Sequence, residues 1–364
     1  MKKIHEKKYI LGIETSCDDT AIAIVDSERK ILSNIVINQN NYHKEYGGIV
    51  PEIAARAHLT FIKTALEKSL KKSKKSLNDI DLICATAGPG LIGGLIIGTT
   101  FAKTLSWSLK KPYVAVNHLE GHALTARLDS NIPYPYLLLL VSGGHTQLIV
   151  VKKCGVYERI STTLDDAVGE TFDKGAKMLE LSFPGGPEIE NCGKKGNEQA
   201  FKLPRPMIKS SNPNFSFSGL KTAFSKLVSK TDIKDNKNDL AASFEKAITD
   251  CIIDRTRLGI KLFRKMSLKS EKTRLVVAGG VASNSKIRQE LKELTTNENV
   301  DFYAPPLNLC TDNGAMIAWA GFERFKKYGP SNLNFKPKPR WPLDPEAFKN
   351  NPTMKRIGKK GIKA

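Results

Sequence analysis

A strand, a polar turn and a second strand occur twice in this chain, and that duplication limits the fold more than any other feature. Residues 10–13 are a short apolar run, Glu14-Thr15-Ser16-Cys17-Asp18-Asp19 is a polar turn, and residues 20–25 resume in strand-forming types. Residues 137–141, Ser142-Gly143-Gly144-His145 and residues 146–151 repeat the layout. Apolar runs broken by such turns read as hairpin strands. Ser16 and Thr20 align with Ser142 and Thr146 at an offset of 126. Two matched polar positions are few, so the shared context carries the alignment. The expectation is a duplicated lobe, each copy opening with a hairpin whose turn faces a shared cleft.

Helices and strands alternate between the hairpins. Pro51 stands where helices begin, and Ile53, Ala57, Phe61, Ile62, Ala65 and Leu66 recur at helical spacing. Residues 80–87 read as a buried strand, 94–109 as a helix and 113–116 as a strand. Beyond the second hairpin the pattern predicts a helix over 165–181, a loop at Phe183-Pro184-Gly185-Gly186-Pro187, a helix over 241–265 and a strand over 274–278. A helix then starts near Ser283, and a last one spans 313–325. We expect a first lobe over 1–130, completed by the C-terminal helix at 313–328, and a second lobe over 131–312. A polar stretch near 190–216 reads as a surface insertion, and 336–364 as an extended basic tail.

At 364 residues the chain has material for two such lobes. No apolar run approaches the roughly 20 residues of a membrane span, and the Lys-rich start lacks the apolar stretch of a secretory signal. The six cysteines are scattered without C-x-x-C spacing, which points away from a disulfide framework and fits a reducing cytoplasm. The formal charge of +20 suits a polyanionic partner such as nucleic acid. Its densest clusters, Lys71-Lys72-Ser73-Lys74-Lys75 and residues 355–363, read equally as solvated surface.

Gly88-Pro89-Gly90-Leu91-Ile92-Gly93 fits G-x-G-x-x-G between a strand and a helix. Pro89 removes a donor near any phosphate, and the next strand ends in Asn117-His118 with no acid for a ribose, so close packing is the better reading. His118-Leu119-Glu120-Gly121-His122 places two imidazoles one helical turn apart, where both can reach one metal. The plainer alternative is a pair of helix-surface histidines. Glu120 lies roughly 200° around a helix from His118, so it cannot serve as the base of a zinc protease. Ser142-Gly143-Gly144 is either an ordinary hairpin turn or a set of exposed amides for an anion. Ala278-Gly279-Gly280-Val281-Ala282-Ser283-Asn284 lets a flat ring approach the backbone, or simply caps a helix. Asp312 likewise precedes a helix and could be a cap; spacing alone cannot pair it with the histidines.

In order, nine segments resemble one family: residues 12–20, 46–52, 118–122, 140–147, 165–174, 183–187, 215–221, 279–284 and 310–314. The chain resembles the tRNA N6-adenosine threonylcarbamoyltransferases of the bacterial and mitochondrial branch, from Tyr9 to about Pro345. The resemblance implies an α/β chain with the actin-like ATPase fold of sugar kinases and heat-shock chaperones, two duplicated lobes around a nucleotide cleft. It implies transfer of the threonylcarbamoyl group from L-threonylcarbamoyl-adenylate to N6 of adenosine 37, in tRNAs reading codons that begin with A, with release of AMP. An older description of the family as glycoprotein endopeptidases conflicts with the displaced Glu120.

Carried over by residue, the metal ligands are His118, His122 and Asp312, holding one Fe2+ per subunit, with Zn2+ the alternative. The substrate-binding residues are Leu140, Val141, Ser142, Gly143, Gly144, Asp173, Gly186 and Asn284, with no catalytic group beyond the metal site. Implied partners are tRNA, the adenylate, an inactive paralogous subunit and a small ATPase, in the cytoplasm and without a membrane. Mitochondrial relatives act without these accessory subunits, often as homodimers. The competing readings on the same fold are an ATP-dependent small-molecule kinase and a chaperone-like ATPase.

Overall fold

The computed structural model describes residues 7–46, 48–266 and 272–347. The basic cluster at 355–363, the end of the expected tail and Gly47 lie outside the described residues. The chain divides into two compact units, one running to Ile132 and resuming over Thr311–Leu343, the other comprising Pro133–Cys310 and the described residues from Asp344.

In the first unit, strands β1 (Tyr9–Glu14), β2 (Asp19–Asp26), β3 (Ile31–Asn38), β4 (Leu82–Gly88) and β5 (Tyr113–Asn117) form one sheet in the order β3-β2-β1-β4-β5. Helix α1 (Asn40–His43) is a single turn, followed by α2 (Pro51–Ser73), α3 (Ile92–Leu109) and α4 (His118–Ser130). The central strands are apolar along their length because helices cover both faces of such a sheet; β4 is buried at every position.

In the second unit, β6 (Tyr136–Val141), β7 (Thr146–Lys153), β8 (Val156–Thr162), β9 (Arg274–Ala278) and β10 (Asp301–Tyr303) form a sheet of order β10-β9-β6-β7-β8. Its helices are α5 (Val168–Met178), α6 (Gly185–Gly193), α7 (Ser218–Val228), α8 (Ile233–Lys265) and α9 (Ser285–Asn297). The chain then returns to the first unit as α10 (Gly314–Tyr328).

The two sheets share one topology. In each, the opening hairpin is antiparallel, a third strand extends it, and two later strands add in parallel on the other side. Glu14 pairs with Ala21 in the first hairpin and Leu140 with Gln147 in the second, each 126 residues further on. A slip of one residue would have turned every side chain to the opposite face.

Several boundaries differ from the sequence pattern. The helix expected over 165–181 begins only at Val168, because Asp165 is occupied elsewhere: its carboxylate accepts from the amides of Phe217 and Ser218 and from the Ser216 and Ser218 hydroxyls, fastening the start of α7. Gly185-Gly186-Pro187 opens α6 rather than forming a loop. The 190–216 stretch is not wholly superficial. Its first residues finish α6, and Leu203, Asn214 and Phe215 are buried. Arg255, itself buried, donates to the carbonyls of Ser210 and Asn212 and holds the end of the stretch down.

Candidate metal centre and substrate loops

Strand β5 ends at Asn117, whose side-chain oxygen accepts from the amides of Leu119 (2.9 Å) and Glu120 (3.4 Å). That cap starts α4 at His118 and places His122 one turn later on the same face. The two rings meet edge to face with centroids 4.8 Å apart. Glycines bring the third group in. A Cβ on Gly12 would lie 2.2 Å from the Gly314 carbonyl, and one on Gly121 2.9 Å from Ile317 Cδ1, so α10 can rest directly on β1 and α4.

Asp312 precedes α10 but does not cap it. Asn313 does so, accepting from the Met316 amide at 3.0 Å. Asp312 Oδ1 instead lies 3.1 Å from His122 Nε2 and 3.5 Å from His118 Nε2. The ligand atoms of His118, His122 and Asp312 all fall within 4.8 Å of one another. Both imidazoles are buried, whereas the Asp312 side chain is about a quarter exposed. Two nitrogens and one oxygen facing a common point form a donor set that suits iron or zinc and leaves coordination positions open. Glu120 is fully buried in an ion pair with Arg324 Nη1 at 2.8 Å, and so takes no part in this convergence.

The motifs did not single out Glu14. It is wholly buried, and its Oε2 lies 2.9 Å from His118 Nδ1. The available signal was a lone acid at the end of an otherwise apolar strand. Burial disfavours charge on both partners, but the attraction outweighs it: Asp312 and Glu14 hold the His118 imidazolium up to about 9, and His118 pulls the Glu14 carboxyl below its ordinary range. Nearby, burial and the Asp312 and Asp18 charges push Asp19 up to about 7. Negative charge is therefore concentrated around the histidine pair.

The substrate residues expected from the resemblance all lie in the second unit. Leu140 and Val141 are fully buried in β6, where they carry the turn. Ser142 donates its amide to the His145 carbonyl at 2.8 Å, closing the turn. A Cβ on Gly143 or Gly144 would meet nothing within 4 Å, so the turn presents open backbone. Helix α5 begins against it: Val168 donates to Thr146 Oγ1 at 2.8 Å, and a Cβ on Gly169 would lie 2.7 Å from Gly143 Cα. Gly279 has φ +98°, and a Cβ there would lie 2.3 Å from the Val141 carbonyl, so glycine allows this loop onto the end of β6.

Asp173 accepts from the Gly185 amide at 2.8 Å, and Gly186 beside it has open space where a Cβ would stand. Asn284 follows the short turn Gly280–Ser283, which touches both β6 and α5. Its Oδ1 caps α9 by accepting from Ile287 at 2.9 Å, and its Nδ2 donates to Glu245 Oε1 at 2.7 Å. Capping is therefore only half of its bonding. The G-x-G-x-x-G segment serves packing: Cβ atoms on Gly88 and Gly90 would meet the Lys338 and Ser16 carbonyls at 1.9 and 2.5 Å.

A family model described as TsaD, tRNA N6-adenosine threonylcarbamoyltransferase, matches residues 30–319. Among curated proteins, the tRNA N6-adenosine threonylcarbamoyltransferase of Rickettsia rickettsii (strain Sheila Smith) is 52% identical over 337 residues, covering 92% of this chain and 98% of its own. That of Brucella suis (strain ATCC 23445 / NCTC 10510) is 50% identical over 363 residues, covering 98% of this chain and 99% of its own. Among solved structures, full-length HypF superposes with a TM-score of 0.57 at 12% identity, covering 89% of this chain and 56% of that one. The (R)-2-hydroxyglutaryl-CoA dehydratase component A of Acidaminococcus fermentans does so with a TM-score of 0.51 at 16% identity, covering 88% of this chain and all of that one. These structural likenesses establish the actin-like ATPase fold. With a matched family model and relatives at half identity over nearly their whole length, the chain belongs to the tRNA N6-adenosine threonylcarbamoyltransferase family.

Proposed function

We propose that this chain transfers the threonylcarbamoyl group of L-threonylcarbamoyl-adenylate to N6 of adenosine 37 in tRNAs reading codons that begin with A. The N6 amine attacks the carbamoyl carbon, the carbon–oxygen bond to phosphate breaks, AMP leaves with the electron pair, and the proton lost by the amine passes to water. The observation that carries this reading is the convergence of His118, His122 and Asp312 on one point, in a chain of this family. These residues would hold one Fe2+ per chain, with Zn2+ the alternative. A bound ion supplies positive charge to the phosphate or to the oxygen on which charge develops.

The chain's own residues bind and orient. The amides of the Gly143–Gly144 turn are suited to an anionic oxygen, since successive glycine amides in a turn can point to one side and neither residue carries a side chain. Asp173, Gly186 and Asn284 are assigned to the ribose and adenine of the adenylate, with Leu140, Val141 and Ser142 supporting the turn. AMP is a good leaving group, so positioning of the amine replaces an enzyme nucleophile. The readings as kinase or chaperone-like ATPase are not favoured, because neither accounts for the paired imidazoles. The +20 charge suits a tRNA partner. An inactive paralogous subunit and a small ATPase would complete the bacterial system. Among the described residues no helix is long and apolar enough to cross a membrane, and we assign the chain to the cytoplasm.

Nucleoside analysis of tRNA incubated with the chain, threonine, bicarbonate, ATP and an adenylate synthase should reveal threonylcarbamoyladenosine. The double substitution His118→Ala/His122→Ala, given preformed adenylate, should lose transfer by a factor on the order of a thousand, since several kcal/mol of charge stabilisation go with the ion. Its circular dichroism should be unchanged, and metal analysis should fall from about one ion per chain to none. Full transfer by that variant refutes the metal role.

A further inference from the structure

The two histidines are supported unequally. Glu14 Oε2 lies 2.9 Å from His118 Nδ1 and also accepts from Thr86 Oγ1 at 2.5 Å, while Glu14 Oε1 accepts from the Ser16 amide at 2.5 Å. Ser16 Oγ stands 3.1 Å from the same Nδ1. Glu14, Ser16 and Thr86 are all buried. The threonine hydroxyl and the serine amide both donate, so the carboxylate is held as an acceptor facing the ring. Nδ1 then carries the hydrogen, and Nε2 is turned toward Asp312 and His122. His122 has no equivalent: its Nδ1 is buried without a hydrogen-bond partner among the described residues.

We propose that Glu14 is the positioning residue of the metal centre, fixing His118 as its Nδ1–H tautomer and aiming Nε2 at the ion. A carboxylate behind a ligating imidazole restricts ring rotation and raises the basicity of the free nitrogen. Thr86, on β4, and the Ser16 amide, in the hairpin turn, anchor that carboxylate to the sheet. His118 is thus the pre-aimed ligand, and His122 depends on helix packing for its orientation. The inference rests on the reading of His118, His122 and Asp312 as metal ligands.

The test uses the full chain and cobalt(II) as the probe, titrated against a chromophoric chelator. Glu14→Ala should bind cobalt about 10–100-fold more weakly than the parent, with a changed visible d–d spectrum and unchanged circular dichroism. Glu14→Gln, which keeps an acceptor oxygen but loses the charge, should fall between the two. Histidine-selective 15N spectra of the zinc-loaded parent need no folded Glu14 variant; they should report a protonated Nδ1 on the ring whose signal disappears in His118→Gln. Cobalt binding by Glu14→Ala within twofold of the parent, with an unchanged spectrum, overturns the inference alone. So does an unprotonated or metal-bound Nδ1 at His118. A parent chain that takes up neither metal overturns the ligand assignment and this inference together.

Discussion

At the end of β1 stands Glu14; at the matching place in β6, 126 residues later, stands Leu140. Both are fully buried in sheets of the same topology. Glu14 is met by three polar partners, Ser16, Thr86 and His118. Leu140 is followed by a turn of bare backbone at Gly143 and Gly144. The first hairpin sets a buried acid against the His118 imidazole, and the second ends in a turn where an added Cβ would meet nothing at Gly143 and Gly144. The strand registers and the threonines after the turns match between the two sheets, while the turn residues between them differ. Thr20 Oγ1 lies 2.8 Å from His58 Nδ1 on α2, and Thr146 Oγ1 accepts from Val168 at the start of α5 at 2.8 Å. A scaffold threonine thus ties the first hairpin to α2 and the second to α5.

Exchanging the divergent residues should expose the difference most strongly. Leu140→Glu places a carboxylate at a fully buried position of an apolar strand, opposite the buried Gln147 of β7, and should cost about 4 kcal/mol or more. Urea unfolding of the full chain measures this; a loss below about 1 kcal/mol would mean the two positions tolerate charge alike. Glu14→Leu, the reverse exchange, leaves the His118 ring and the Thr86 hydroxyl without their acceptor. It should cost about 3 kcal/mol by the same measurement. An equally stable variant would make the acid dispensable to the first sheet.

Gly279→Ala tests the close approach at the second turn. Its positive φ and the Val141 carbonyl 2.3 Å from the new Cβ should cost about 1–3 kcal/mol and raise KM for the adenylate more than it lowers kcat. The smallest effect concerns Glu245, whose carboxyl burial pushes up against the opposing hydrogen bond from Asn284. An acid with a raised folded pKa contributes its stability at low pH and loses it as pH rises through that value. Glu245→Gln keeps the acceptor for Asn284 and removes the buried charge. The variant should therefore gain on the parent in urea-unfolding free energy as pH rises above the ordinary carboxylate range, by no more than about 1 kcal/mol. A difference that is flat with pH would place the Glu245 charge in water.

Much of this was readable in the sequence, because the central strands are continuous apolar runs and the histidine pair is a local motif. The edges were not. Strand β3 (ILSNIVIN) mixes exposed with buried positions, and β8 (VYERIST) begins half exposed, so neither carries a clean period. Helix α8 starts eight residues before the expected 241, at Ile233, because its first turns are polar and capped by Asp232. The site was only half legible for a related reason. His118 and His122 are neighbours by helical spacing, whereas Asp312 reaches them only through glycine-permitted packing of α10, which no spacing encodes. Glu14 was hidden by looking like an ordinary turn residue.

That return of α10 also sets a time order. The first sheet and both imidazoles are specified by residue 130, yet the carboxylate that joins them lies at 312, after the whole second unit. A ribosome releases the chain from its N-terminal end. The nascent first unit therefore emerges with its histidines but without their acidic partner, so the three groups can come together only in the nearly finished polypeptide.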